Sequence, residues 1–237
     1  MPPKRPPAPE AGPPPRPPTL AAMAHMLSLS ASASADRTLD AAQRDLGDQP
    51  DLADPAQAAR LHRWLNQWGC RIGYPGPGQP DVFVNSLAAW WPTSKDLLPH
   101  PRQRLAQLTD AQLDSARQAY AGVYLCPAAV STAGRARAFG PTAAAKLLYF
   151  IRPLAFTPWD NAISLRTGGG RDDAAFLRHL TACRGWAQDL EAEARGLGLA
   201  PGEIGAYLGR PASSVARLID EWLYTTITAG LRADASS

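Results

Sequence analysis

Lys146 and Asp160 are the residues whose types and spacing point most directly to chemistry. They stand in "FGPTAAAKLLYFIRPLAFTPWDNAI", which runs from Phe139 to Ile163. The chain has only three lysines, Lys4, Lys95 and Lys146, against 21 arginines. Arginine supplies its general positive charge, so a lysine inside an apolar run stands out for its amine, which no guanidinium replaces as a nucleophile. An amine and a carboxylate that meet in an apolar pocket can make an imine: the amine attacks carbon, and the acid moves protons or steadies developing positive charge. The plainer alternative is a helical lysine reaching water and an aspartate capping a helix.

Local elements must bring the pair together. Thr142 to Ile151 reads as a helix of about 15 Å, stopped by Pro153, with Lys146 on the face of Thr142 and Phe150. Gly140 and Pro141 turn the chain into it, and amides at such a turn can hold a phosphate oxygen. Pro158 stiffens the approach to Trp159 and Asp160, and a return loop of this length brings Asp160 back toward Lys146. Residues 159–166 read as a short helix or turn.

The surrounding pattern predicts an all-α, single helical domain over residues 37–230, preceded by a disordered Pro/Ala/Ser-rich tail over 1–36. Ten prolines fall in the first 20 residues, which rules out a core there. "TLAAMAHMLSLSASASA" faintly resembles a secretory signal, but His25 and several serines break its apolar part. Asp54 and Pro55 open one helix, Thr109 caps another, and Asp172 to Arg195 is the longest. "DVFVNSLAAWWP" fits either a helix or a short strand. Strand signals are weak elsewhere.

Charge is unevenly spread. Arg135, Arg137, Lys146, Arg152, Arg166 and Arg171 against Asp160 give residues 131–171 a charge of +5, in a chain of net +3. That segment fits a polyanion-binding face as well as an ordinary solvated surface. Cys70, Cys126 and Cys183 are far apart, which disfavours a disulfide framework, a cysteine zinc site or an iron–sulfur cluster. No metal or other cofactor is expected, and no apolar run reaches the ~20 residues needed to span a bilayer. A cytoplasmic, nucleoid-associated monomer is expected.

The Phe139–Ile163 stretch resembles the core of the helix-hairpin-helix DNA glycosylases, and more closely the bacterial proteins with an 8-oxoguanine-glycosylase-like fold. The elements that carry the resemblance are Gly140, Lys146 and the run Pro158-Trp159-Asp160. "GRPASSVARLIDEWLYTTIT" resembles the closing helix of such proteins, so the resemblance covers about residues 110 to 228. It implies excision of a modified or damaged base from double-stranded DNA. Lys146 attacks the sugar C1′ of a flipped nucleotide and forms a Schiff base that allows β-elimination, while Asp160 activates the amine or steadies the cationic sugar. It also implies DNA contacts from Arg135, Arg137, Gly140, Thr142, Arg152 and Arg166, with Trp159 stacking on a base; by spacing alone Trp159 also reads as a core residue. The chain departs from the pattern in keeping one hairpin glycine, in a shorter lysine-to-aspartate interval, and in having Asn161 and Ala162 where a histidine often follows.

A competing reading is a non-enzymatic regulator with a helix-turn-helix at about residues 201–224, its recognition helix starting at Ser213 and Ser214. Arg217 would be the one long basic residue on that helix, beside Asp220 and Glu221, which repel phosphate.

Overall fold

Short polar side chains start the helices. Asp54 accepts from the amide of Ala56, Asp81 from Val84, Asp172 from Ala175 and Ser214 from Arg217. Thr109 and Gln112 cap reciprocally, each side chain accepting from the other's amide. Each cap satisfies a donor the helix cannot, a contribution of about 1 kcal/mol. The computed structural model describes residues 18–29, 33–47 and 49–230. Over these the chain is mostly helical, with 3% strand.

The helices are α1 (Leu20–Leu29), α2 (Ala33–Leu46), α3 (Pro55–Gln67), α4 (Val82–Ser94), α5 (Asp110–Tyr124), α6 (Gly140–Ile151), α7 (Asn161–Ile163), α8 (Asp173–Gly196), α9 (Ile204–Tyr207) and α10 (Val215–Leu223). "DVFVNSLAAWWP" is therefore helical despite its β-branched residues and the internal Pro92. Between α5 and α6 a β-hairpin forms, which the weak strand signals did not announce: β1 (Pro127–Val130) pairs antiparallel with β2 (Ala136–Ala138). It leads into α6 through Gly140, whose φ of +73° lies in the left-handed region. A side chain there would strain the turn that aims α6.

The long helix α8 forms the spine, packing against α5, α10 and the 3₁₀ turn Leu105–Gln107. Phe176 of α8 stacks on Tyr120 of α5 with centroids 4.2 Å apart, and Trp159 meets both rings edge-on. The helices α3 and α4 pair beside this core, and Trp64 of α3 packs on Phe150 of α6.

The folded part starts earlier than expected. The Pro-rich residues 1–17 lie outside the described residues, but α1 falls within the span expected as tail and packs on α8 and α10. Its Leu20, Met23, Met26 and Leu27 are buried. The amide of Leu20 donates to Glu193 Oε2 at 2.9 Å, and Arg210 Nη2 donates to the Leu27 carbonyl at 2.9 Å. Four buried apolar side chains at helical spacing outweigh the ordering entropy that the tail reading relied on. Met23→Ala should therefore lower unfolding stability by roughly 2–5 kcal/mol, read from denaturant melts. A loss below about 0.5 kcal/mol, the scale of surface substitutions, would place α1 outside the core.

Candidate functional site

Lys146 lies in the second turn of α6, after three buried alanines, Ala143 to Ala145. Their small side chains let neighbouring elements close on α6. Its Nζ crosses to the end of α3, donates to the carbonyl of Trp68 at 2.6 Å, and sits 5.4 Å from the centre of that indole ring. Trp68 is the C-cap of α3, so this carbonyl is one the helix leaves without an internal donor. The Arg217 guanidinium approaches the same ring at 5.6 Å, and Tyr149 stacks on it.

Asp160 is brought to this place by a loop tied at two points. Trp159 Nε1 donates to the carbonyl of Pro141 at 3.1 Å, fixing the loop to the start of α6. His179 of α8 is fully buried, and desolvation pushes its imidazole down to about 4, so it is neutral near pH 7. Its Nε2 lies 3.1 Å from the carbonyl of Thr157, and the backbone hydrogen bond requires the proton on that nitrogen. Asp160 Oδ1 accepts from the amide of Ile163 at 2.9 Å, capping α7, and Oδ2 accepts from Thr228 Oγ1 at 2.6 Å.

Lys146 and Asp160 line one cavity of about 490 Å³. Trp68, Arg217, Asp220 and Tyr224 line it as well, together with Glu221. Asp220 accepts a hydrogen bond from Arg217 through Oδ2. Burial pushes its carboxyl up to about 6, opposed by the charges of Arg217 and Lys146, with Asp160 adding to the upward push. Glu221 is paired with Arg210 at 3.4 Å. The lining is thus not the basic surface expected of a DNA face: two cations stand among three carboxyls. Among the described residues no group of three His, Cys, Asp or Glu could hold a metal ion, and no helix is long and apolar enough to cross a membrane.

The other expected contact residues divide. Arg135 and Arg137 are exposed on the hairpin, and Arg166 is exposed in the π-helical turn Ser164–Gly168 that follows α7. Gly140 and Thr142 are half-buried at the start of α6, where Thr142 Oγ1 receives Arg171 Nη2 at 3.4 Å. Arg152 is not available to a phosphate. It is buried, its Nε donates to the carbonyl of Pro99 at 2.6 Å and its Nη1 to that of Ile151, and desolvation pulls its pKa down. Trp159 is 1% exposed and meets the core rings of Tyr120 and Phe176 edge-on, so although it borders the cavity it presents little face for a base.

Sequence reasoning missed Trp68, Asp220 and Tyr224, and read Arg217 as a groove-reading residue. The available signal was the polar triplet Arg217, Asp220, Glu221 inside an otherwise apolar helix. No family model, curated protein or solved structure matches the chain.

The buried carboxyl of Asp220 gives a signed pH dependence. Its pKa is raised above the unfolded value near 3.8, so its contribution is most favourable below that value and is lost as pH rises through about 6. Going from pH 4 to pH 7, wild-type stability should fall relative to Asp220→Asn by on the order of 2 kcal/mol. Parallel denaturant melts of the two proteins across that range measure it, and a constant difference would mean that the carboxyl titrates near its ordinary value.

Proposed function

We propose that the protein is a DNA glycosylase of the helix-hairpin-helix kind, with Lys146 as the nucleophile that displaces a modified or damaged base. The observation that carries this reading is that Lys146 and Asp160, fourteen residues apart, line one cavity. Its volume falls within the roughly 300–1,000 Å³ of pockets that enclose small ligands, so a single flipped nucleobase is a fitting occupant. The aromatic surface open to that base is Tyr224, which is exposed and lines the cavity, whereas the Trp68 ring already carries Tyr149, Lys146 and Arg217.

In the resting protein the Lys146 amine is held by the Trp68 carbonyl. A sugar C1′ entering the cavity competes for it. The amine attacks C1′, the glycosidic electron pair leaves with the base, and Asp160 stabilises the cationic sugar. Phosphates need not enter the carboxyl-bearing cavity. Arg135, Arg137 and Arg166 are exposed for them, and the start of α6 at Gly140 and Thr142 offers backbone amides. Double-stranded DNA is thus the proposed partner, and the whole reaction uses side chains alone.

The helix-turn-helix alternative has less support. All nine residues of α10 are buried, and a recognition helix must expose a face to a groove. Gly205 serves packing there, since a Cβ would meet the carbonyls of Arg210 and Ser213 at 2.6 Å.

Two experiments test the proposal. Borohydride should trap the wild-type protein covalently on duplex DNA with an abasic site, and Lys146→Arg should bind that DNA without being trapped. Trapping that survives Lys146→Arg would assign the chemistry to another amine. Replacing Arg135 and Arg137 together with alanine should weaken duplex binding and flatten its salt dependence by roughly one unit of slope per lost phosphate contact. An unchanged slope would put the DNA face elsewhere.

A further inference from the structure

We propose that Asp220, rather than Asp160, carries the proton of Lys146 during imine formation. The inference rests on Lys146 being the nucleophile and assigns the acid–base partner of that amine. Both oxygens of Asp160 already accept hydrogen bonds, one from the amide of Ile163 and the other from the hydroxyl of Thr228, so its carboxylate is held in place as a cap. Asp220 lines the same cavity, and its side chain is 12% exposed, which leaves it reachable from that space. Its pKa is set within a mixed cluster: Arg217 and Glu221 share its helix, Lys146 faces it from α6, Asp160 from the start of α7, Cys183 from α8 and Tyr224 from the turn after α10. Burial and the charge of Asp160 hold the proton on, whereas Arg217 and Lys146 draw it off. A carboxyl poised in this way exchanges a proton near neutral pH more readily than one held strongly ionised.

The step balances without any further reagent. Starting from an ammonium and a carboxylate, Lys146 leaves the Trp68 carbonyl, turns within the cavity it shares with Asp220, and passes a proton from Nζ to that carboxylate. The free amine attacks the C1′ aldehyde carbon of an abasic sugar, forming the N–C bond, and the carbonyl electron pair moves to oxygen. One amine proton shifts to that oxygen, giving the carbinolamine. As the C–O bond breaks, Asp220 returns its proton to the departing hydroxyl, which leaves as water. The products are a protonated imine and the Asp220 carboxylate, beside Arg217.

The test uses the full chain, abasic duplex DNA and single-turnover borohydride trapping from pH 5 to pH 8. Wild-type trapping should slow as pH falls, with a break near the value of about 6 held by Asp220, because the carboxylate must be ionised to accept the proton. Asp220→Asn should trap roughly 100-fold more slowly and lack that break, while binding the DNA with unchanged affinity. Asp160→Asn should be slower yet keep the break, and Asp220→Glu should restore part of the rate. Trapping by Asp220→Asn at the wild-type rate, or with the break intact, overturns the assignment. So does a parallel loss of DNA binding and melting temperature in both Asp220 variants, which marks a structural role. If the wild type itself is never trapped, the lysine site fails and this inference falls with it; if Lys146-dependent trapping persists while Asp220 is neutral to it, only the inference fails.

Discussion

Taking an arginine, an aspartate and a glutamate out of water on one short helix costs several kcal/mol per ion unless each finds a partner. Helix α10 does this, since Arg217, Asp220 and Glu221 are all buried in it. The surrounding elements are arranged to meet that demand. Arg217 and Asp220 pair one turn apart, Arg210 reaches Glu221 from the preceding loop, and the Trp68 ring lies against Arg217. Arg210 also donates to the carbonyl of Leu27, so the same guanidinium that pairs Glu221 anchors α1. An apolar helix of the same shape would bury as much surface with less penalty. The charged one leaves a polar wall on one side of a cavity that Trp68, Lys146 and Asp160 line on others.

Lys146 belongs to the same balance. Its amine is the cation that α6 contributes to the acids of the cavity, and the α3 carbonyl that it occupies would otherwise lack a helical donor. The two elements that present Lys146 and Asp160 are held by contacts that do not involve either side chain. Gly140 sets the entry of α6, Trp159 ties the Asp160 loop to Pro141, and the neutral His179 ties it to α8. A site supported from outside keeps its geometry when its own groups change charge, as proton-transfer groups must.

Much of this was legible in the sequence, and the parts that were not share one cause. The caps at Asp54, Thr109 and Asp172 are local signals, and the helices they open form as read. Pro153 and Pro158 bound the loop that carries Asp160 to the wall of the cavity Lys146 also lines, where each is held by other partners. The burial of α1 was not, because its partners α8 and α10 lie more than 140 residues away and its serines and flanking prolines mask an apolar stripe at Leu20, Met23 and Leu27. Arg152 looks like any other arginine of the basic segment until Pro99, more than 50 residues earlier, is found offering it a carbonyl. Asp220 and Glu221 read as flaws of a groove-reading face only while α10 is imagined exposed; buried, they line the cavity.

The division between cavity and surface follows from the same placement. The positive charge of residues 131–171 does not converge on the cavity; only Lys146 reaches it, and Arg152 is consumed inside the fold. Arg135 and Arg137 are left exposed on the hairpin and Arg166 on the turn after α7. A polyanion drawn by these arginines meets carboxyls if its backbone tries to follow into the cavity, where charge repulsion in a poorly solvated space is costly. A neutral base or an uncharged sugar carbon meets no such barrier. On the glycosylase proposal, this arrangement would sort a nucleotide by its parts, with charge retained outside and the uncharged group admitted to the amine, and that sorting would require the acids on α10 as much as the arginines on the surface.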